Sequence, residues 1–108
     1  MERFHHHALV TACALIASTA YGAAPEYPSK PLRIVTSGTG GGNDFAARMV
    51  AINLTSALGQ NVIVENKGGA SAVVPGHTVA RANPDGYTLL SFSSPLWLLP
   101  YLQDDVPY

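Results

Sequence analysis

Leu32-Arg33-Ile34-Val35-Thr36-Ser37-Gly38-Thr39-Gly40-Gly41-Gly42-Asn43-Asp44-Phe45-Ala46-Ala47-Arg48 is the stretch that decides the fold. Its first five residues form a short run rich in β-branched side chains, which suits a buried strand. Ser37 to Gly42 follows, with four glycines in six residues, and reads as a tight loop. Asn43 or Asp44 can then cap a helix, since both residue types accept from free backbone N–H groups at helix starts. The helix is predicted to run to about Leu58. Phe45, Met49, Ile52 and Ser56 recur at three- or four-residue spacing, with Val50, Leu54 and Leu58 alongside, and Gly59 is placed to end it. Strand, glycine loop and helix in that order open an α/β unit.

The residues on either side extend the pattern. Upstream, Ala23 to Pro31 has three prolines and no apolar periodicity, and is expected to be an extended leader. Downstream, Asn61 to Glu65 reads as a second strand and Asn66 to Gly69 as a turn. Ser71 to Ala82 has helical spacing in Val74, Thr78 and Val79. Pro75 lies inside it, so the helix is expected to start near Pro75, where proline is tolerated in a first turn. Asn83-Pro84-Asp85-Gly86 signals a turn, and Tyr87 to Phe92 a third strand. Ser93-Ser94-Pro95 can open a short helical turn ending near Leu102, and Gln103 to Tyr108 is expected to be irregular. Alternating strands and helices predict a mostly parallel sheet with flanking helices. Three such strands make half of a doubly wound domain, and the first strand is expected to lack a neighbour. An unpaired edge is a liability in a free-standing protein, so the chain is expected to be cut short.

The 108 residues allow one small domain. With 47% apolar and 12% charged residues and a net charge of -1, the chain fits neither a disordered tail nor a nucleic-acid binder. Arg3 and His5 to His7 precede Ala8 to Ala20, an uncharged apolar run of signal-peptide length. Residues 1–24 are therefore expected to be an export signal, cut after Ala20, Gly22 or Ala24, and the mature chain, 25–108, to be periplasmic. His5 to His7 are read as filler ahead of that run. Cys13 stands alone, so no intrachain disulfide or cysteine-rich metal site can form. Leu9-Val10-Thr11-Ala12-Cys13 loosely matches a lipid-attachment signal, but the apolar run continues past it to Ala17, and the discarded-helix reading is preferred.

The glycine loop is the main candidate for chemistry. In parallel α/β sheets, ligands bind beyond the carboxyl ends of the strands. A helix N-terminus there offers free N–H groups and the positive end of the helix dipole. Ser37, Thr39 and Asn43 add polar side chains, so the loop can hold an anionic oxygen. A plain strand-to-helix turn fits the same spacing. A dinucleotide reading also arises, because Gly38 to Asn43 is one glycine short of G-x-G-x-x-G and Glu65 ends the second strand. Asp44 opposes it, placing negative charge where a pyrophosphate would sit. No G-K-[ST] follows, which excludes a P-loop. His77 is the one histidine of the mature chain, too little for a catalytic set, and is read as a surface or half-buried helix residue. Asp104-Asp105 is read as a solvated pair, and Trp97 as core or as a surface meant for further chain. No catalytic residue, metal site or cofactor is assigned, and the chain is read as a binding protein rather than an enzyme.

From Tyr27 to Tyr108 the chain resembles the Bug-type periplasmic solute-binding proteins of tripartite tricarboxylate transporters. The blocks that carry the resemblance are Tyr27 to Val35 (YPSKPLRIV), Gly40 to Asp44 (GGGND) with Ala46-Ala47-Arg48, Leu58 to Lys67 (LGQNVIVENK) continuing into Gly69-Ala70, Pro84 to Leu90 (PDGYTLL), and Val106-Pro107-Tyr108. Membership implies a two-lobed α/β fold that closes on small carboxylates and delivers them to membrane transporter subunits. Residues 25–108 would then be the N-terminal part of the first lobe. By the resemblance, Ser37, Gly38, Thr39, Gly40, Gly41, Gly42, Asn43 and Asp44 form the first wall, holding the carboxylate through backbone N–H groups and water. Asp44 either meets a cationic or hydroxyl group of the ligand or caps the helix. The stretch Asn66 to Ser71, with Gly69 and Ala70, forms a second wall, and Ser93 and Ser94 a third. The chain departs from the family where Thr36-Ser37 stand in place of Pro-Phe, at Pro75 and His77, and in length, since members are much longer.

Overall fold

The computed structural model describes residues 26–68 and 72–108. The expected export signal, 1–24, and the candidate site residues Gly69, Ala70 and Ser71 lie outside them. Six elements follow in order: β1 (Leu32–Thr36), α1 (Gly42–Leu58), β2 (Val62–Asn66), α2 (Val73–Ala80), β3 (Thr88–Leu90) and α3 (Pro95–Leu102). β2 begins and ends one residue later than the sequence pattern implies, and β3 is shorter. Pro75 is the third residue of α2, inside its first turn, where its missing N–H leaves no helical bond unmade.

The three strands form one sheet in the order β2-β1-β3, and both pairings are parallel. The expectation that the first strand lacks a neighbour is corrected: β1 is central. Ile34 lies opposite Val64 on one side and Leu89 on the other. The first crossover places β2 on one side of β1, and the second carries the chain back over to the other. Such pairings join residues far apart in the chain, so local pattern does not reveal them. Among the described residues the unpaired edges fall on β2 and β3.

The core sits between α1 and one face of the sheet. Ile34, Ala47 and Ala51 are buried together, with Leu54, Val62, Val64 and Leu89 packed around them. Side chains alternate across a strand, and Val35 on the opposite face of β1 is also fully buried. α2 packs against β1 and β3. Among the described residues no helix covers β2 on that face, and Ile63 is exposed there. The apolar spacing in α1 is a real stripe that faces away from the sheet: Phe45, Met49 and Ile52 are exposed. The helix instead turns Ala47 and Ala51 inward, because small side chains let its backbone approach the sheet closely. Trp97 on α3 is also exposed, so its reading as core does not hold. Gly59 ends α1 in the left-handed conformation at φ 65, as expected of a glycine at that position.

Two sets of contacts tie the ends of the described chain to the rest of the unit. In the leader, Tyr27 donates its hydroxyl to the Gly86 carbonyl (2.7 Å), and the Ser29 N–H donates to the Tyr87 hydroxyl (2.8 Å). Lys30 lies 3.3 Å from the Asp85 carboxylate and 4.3 Å from the centre of the Tyr87 ring. At the other end, the Tyr108 ring lies against Gly76 of α2, and its hydroxyl donates to the Leu96 carbonyl at 2.5 Å.

Candidate functional site

The carboxyl ends of β1, β2 and β3 lead into three loops at one edge of the sheet, and a helix begins after each. The first loop, Ser37 to Gly41, turns from β1 into α1. Gly40 has φ +85, a conformation side chains rarely adopt, so glycine is required there. Gly38 comes close to the second loop, since a Cβ on it would lie 4.0 Å from the Cα of Gly68. Thr39, Gly40, Gly41 and Gly42 are exposed, and the first bond of α1 runs from the Phe45 N–H to the Gly41 carbonyl at 3.0 Å. The N–H groups of Gly42, Asn43 and Asp44 therefore precede the helical ladder, as first-turn donors do. They are positioned to meet an anion at the positive end of the helix dipole.

Gly41 is the N-cap of α1, and no side chain caps it. The expectation that Asn43 or Asp44 takes the cap position is thus corrected: both lie inside the first turn. Asp44 instead reaches back, and its Oδ2 accepts the Gly40 N–H at 3.0 Å. Its other oxygen, Oδ1, accepts Asn66 Nδ2 at 2.8 Å and pairs with Arg48 Nε at 3.0 Å. Asn66, at the end of β2, also donates Nδ2 to the Ser37 carbonyl (2.8 Å) and accepts Arg48 Nη2 (3.1 Å). The first two loops are thus pinned together through one carboxylate and one amide. The Asp44 side chain is 6% exposed. The Gly40 N–H foremost, then Asn66 and Arg48, hold its carboxyl at about 2, well below the usual carboxylate range.

The third loop joins through Asn43, whose Nδ2 lies 3.3 Å from the Ser93 hydroxyl. Ser94 is the N-cap residue of α3, with Pro95 at the first helical position. Upstream, the buried Thr36 donates its hydroxyl to the Ser91 carbonyl at 2.8 Å and fixes the end of β3 against β1. Ser37 to Asp44, Asn66, Ser93 and Ser94 therefore share one edge. Among the described residues no element covers them from the other side, and the surface they form is open.

The structure accounts for the remaining candidates as well. Glu65 binds Lys67 at 2.7 Å and Arg33 at 2.9 Å, and Lys67 foremost holds its carboxyl below its ordinary value. That carboxylate is engaged across the sheet, away from any ribose-binding role. His77 is half-buried on α2, and Asp104 and Asp105 are exposed. Arg48 was not a candidate from the sequence. The i,i+4 spacing of Asp44 and Arg48 on a helix is the signal that could have found it.

Residues 46–108 match the family described as "Tripartite tricarboxylate transporter family receptor". The chain is similar to the UPF0065 protein in the gbd 5′ region of Cupriavidus necator, 42% identical over 95 residues, which is 87% of this chain and 29% of that protein. Among solved structures it is similar to a periplasmic transporter, with TM-score 0.57 and 46% identity over 59% of this chain and 22% of that one. It is likewise similar to the periplasmic binding protein BugD, with TM-score 0.54 and 45% identity over 59% of this chain and 22% of that one. The chain spans about a third of the length of the curated relatives it matches.

Proposed function

The chain belongs to the tripartite tricarboxylate transporter receptor family, and we propose that it forms the first part of a periplasmic domain that captures small carboxylates for a tripartite membrane transporter. In this reading residues 1–24 are an export signal, and residues 25–108 are the N-terminal part of the first of two lobes. The work is binding rather than catalysis. No helix among the described residues is long and apolar enough to cross a membrane.

One observation carries the proposal: the glycine loop, Asn66 and Ser93 meet at the carboxyl edge of a parallel sheet, with the free N–H groups of the α1 N-terminus among them. A carboxylate needs several converging donors and no competing negative charge. Backbone N–H groups from Gly42 to Asp44 supply donors, Asn43 and Ser93 supply polar side chains, and Arg48 offsets the Asp44 carboxylate. Ser94 and residues 69–71 belong to the same proposed walls. A second lobe would enclose the ligand, and exclusion of water would strengthen these contacts.

The test is a titration of the ¹⁵N-labelled chain with succinate, with NAD as the contrasting probe. Succinate is expected to shift the amide signals of Gly40 to Asp44, Asn66 and Ser93. It should also raise stability by about 1.4 kcal/mol when present at about ten times its Kd. Absence of any succinate response at those amides, or a response to NAD at the same amides, would overturn the reading.

A further inference from the structure

The feature of the site that least suits an anion is Asp44. It stands in the first turn of α1, where a ligand carboxylate would also be drawn by the helix dipole. A carboxylate already in that place competes for the dipole and repels a second negative charge. One loop donor, the Gly40 N–H, is given over to it. Taken alone, this arrangement would favour a neutral or cationic ligand.

Arg48 changes the balance. One helical turn further on, its Nε lies 3.0 Å from Asp44 Oδ1, and its Nη2 lies 3.1 Å from Asn66 Oδ1. Its guanidinium thus spans the carboxylate and the amide that pin the loops. The Asp44–Arg48 unit has no net charge. The other charged groups near this end of β2, Glu65 and Lys67, pair with each other at 2.7 Å, and Arg33 also binds Glu65. We infer that Arg48 is a specificity-determining residue: by neutralising Asp44 it lets the glycine loop accept an anion, without touching the ligand itself. This rests on the carboxylate reading of the site. In physical terms Asp44 organises the loop and Arg48 sets its sign.

Three chains are compared: the wild type, Arg48→Gln, which keeps hydrogen-bonding groups but no charge, and Arg48→Lys, which keeps the charge but not the planar fork. Arg48 is half-exposed on the surface of α1, so none of these changes opens the core. Succinate affinity is measured near 0.01 M and near 1 M ionic strength, between which the screening length falls from about 30 Å to about 3 Å. The Asp44 carboxyl is titrated in parallel by ¹³C NMR. Arg48→Gln is expected to weaken succinate binding about tenfold at low ionic strength and much less at high. Arg48→Lys should stay close to the wild type. The Asp44 midpoint should rise in Arg48→Gln from about 2 toward its ordinary 3.8. Equal losses in Gln and Lys variants would overturn the inference, because geometry rather than charge would then be at stake. So would an unmoved Asp44 midpoint. If even the wild type ignores succinate while the midpoint rises, the carboxylate reading fails and the neutralisation is supported.

Discussion

Replacing Gly76 by alanine should destabilise this protein, and removing Tyr108 should reverse the sign. Gly76 is an interior residue of α2, where alanine is intrinsically better than glycine by about 1 kcal/mol. A Cβ there would lie 2.6 Å from Tyr108 Cδ1 and 2.8 Å from Cε1. Carbon atoms pack at about 3.5–4.0 Å, so the ring must retreat by roughly 1 Å. Retreat pulls its hydroxyl from the Leu96 carbonyl, a bond of 2.5 Å whose net worth is about 1 kcal/mol. Overpacking of this kind costs about 1–3 kcal/mol. Set against the gain in helix propensity, Gly76→Ala should cost about 1–2 kcal/mol. In a Tyr108→Ala background the obstacle is gone and the same change should stabilise by up to about 1 kcal/mol. Urea denaturation of the four chains, followed by Trp97 fluorescence, gives the coupling energy, expected at about 2–3 kcal/mol. An effect of Gly76→Ala that is the same in both backgrounds would refute the claim that the ring sets the cost.

The carboxyl of Asp44 titrates at about 2 in the folded chain, below its ordinary 3.8. A depressed folded value means stability that is complete above the unfolded pKa and lost as pH falls from about 4 to about 2. Urea midpoints across that window should therefore drop less steeply in Asp44→Asn than in the wild type; parallel curves would contradict the assignment. On the two sides of α1, Ala47→Val should cost about 1–3 kcal/mol, since Ala47 is fully buried against the sheet. Ile52→Ser, on the exposed stripe, should stay within about 0.5 kcal/mol of the wild type; urea denaturation of both variants checks the contrast.

Much of the architecture was legible because it is written locally. The β-branched run of β1, the glycines after it, the C-cap at Gly59 and the turn before Tyr87 each reveal themselves within a few residues. What pairs with what is not local: the central place of β1 depends on β2 and β3 arriving on opposite sides of it. The face of α1 was misleading for a related reason. Periodicity finds apolar residues, and Phe45, Met49 and Ile52 are the larger ones, but the sheet takes the side chains that let a helix come close, Ala47 and Ala51. In the candidate site the glycine loop was visible as a loop. Its organisation was not, since Asn66 meets Asp44 from 22 residues away and Arg48 binds both.

The clasp between the leader and the turn after α2 has a consequence for the order in which the chain becomes ordered during synthesis. Tyr27 and Ser29 leave the ribosome early, yet their partners at Gly86 and Tyr87 lie 59 and 58 residues later. Until those partners emerge, the leader has nothing to bind. β3 must dock beside β1 before Lys30 can lie over the Tyr87 ring. Contacts of such long sequence separation form late, because the intervening loop must close first. The first described segment to be made is thus among the last to be fixed, and any factor that recognises it in extended form has the whole synthesis of the sheet in which to do so.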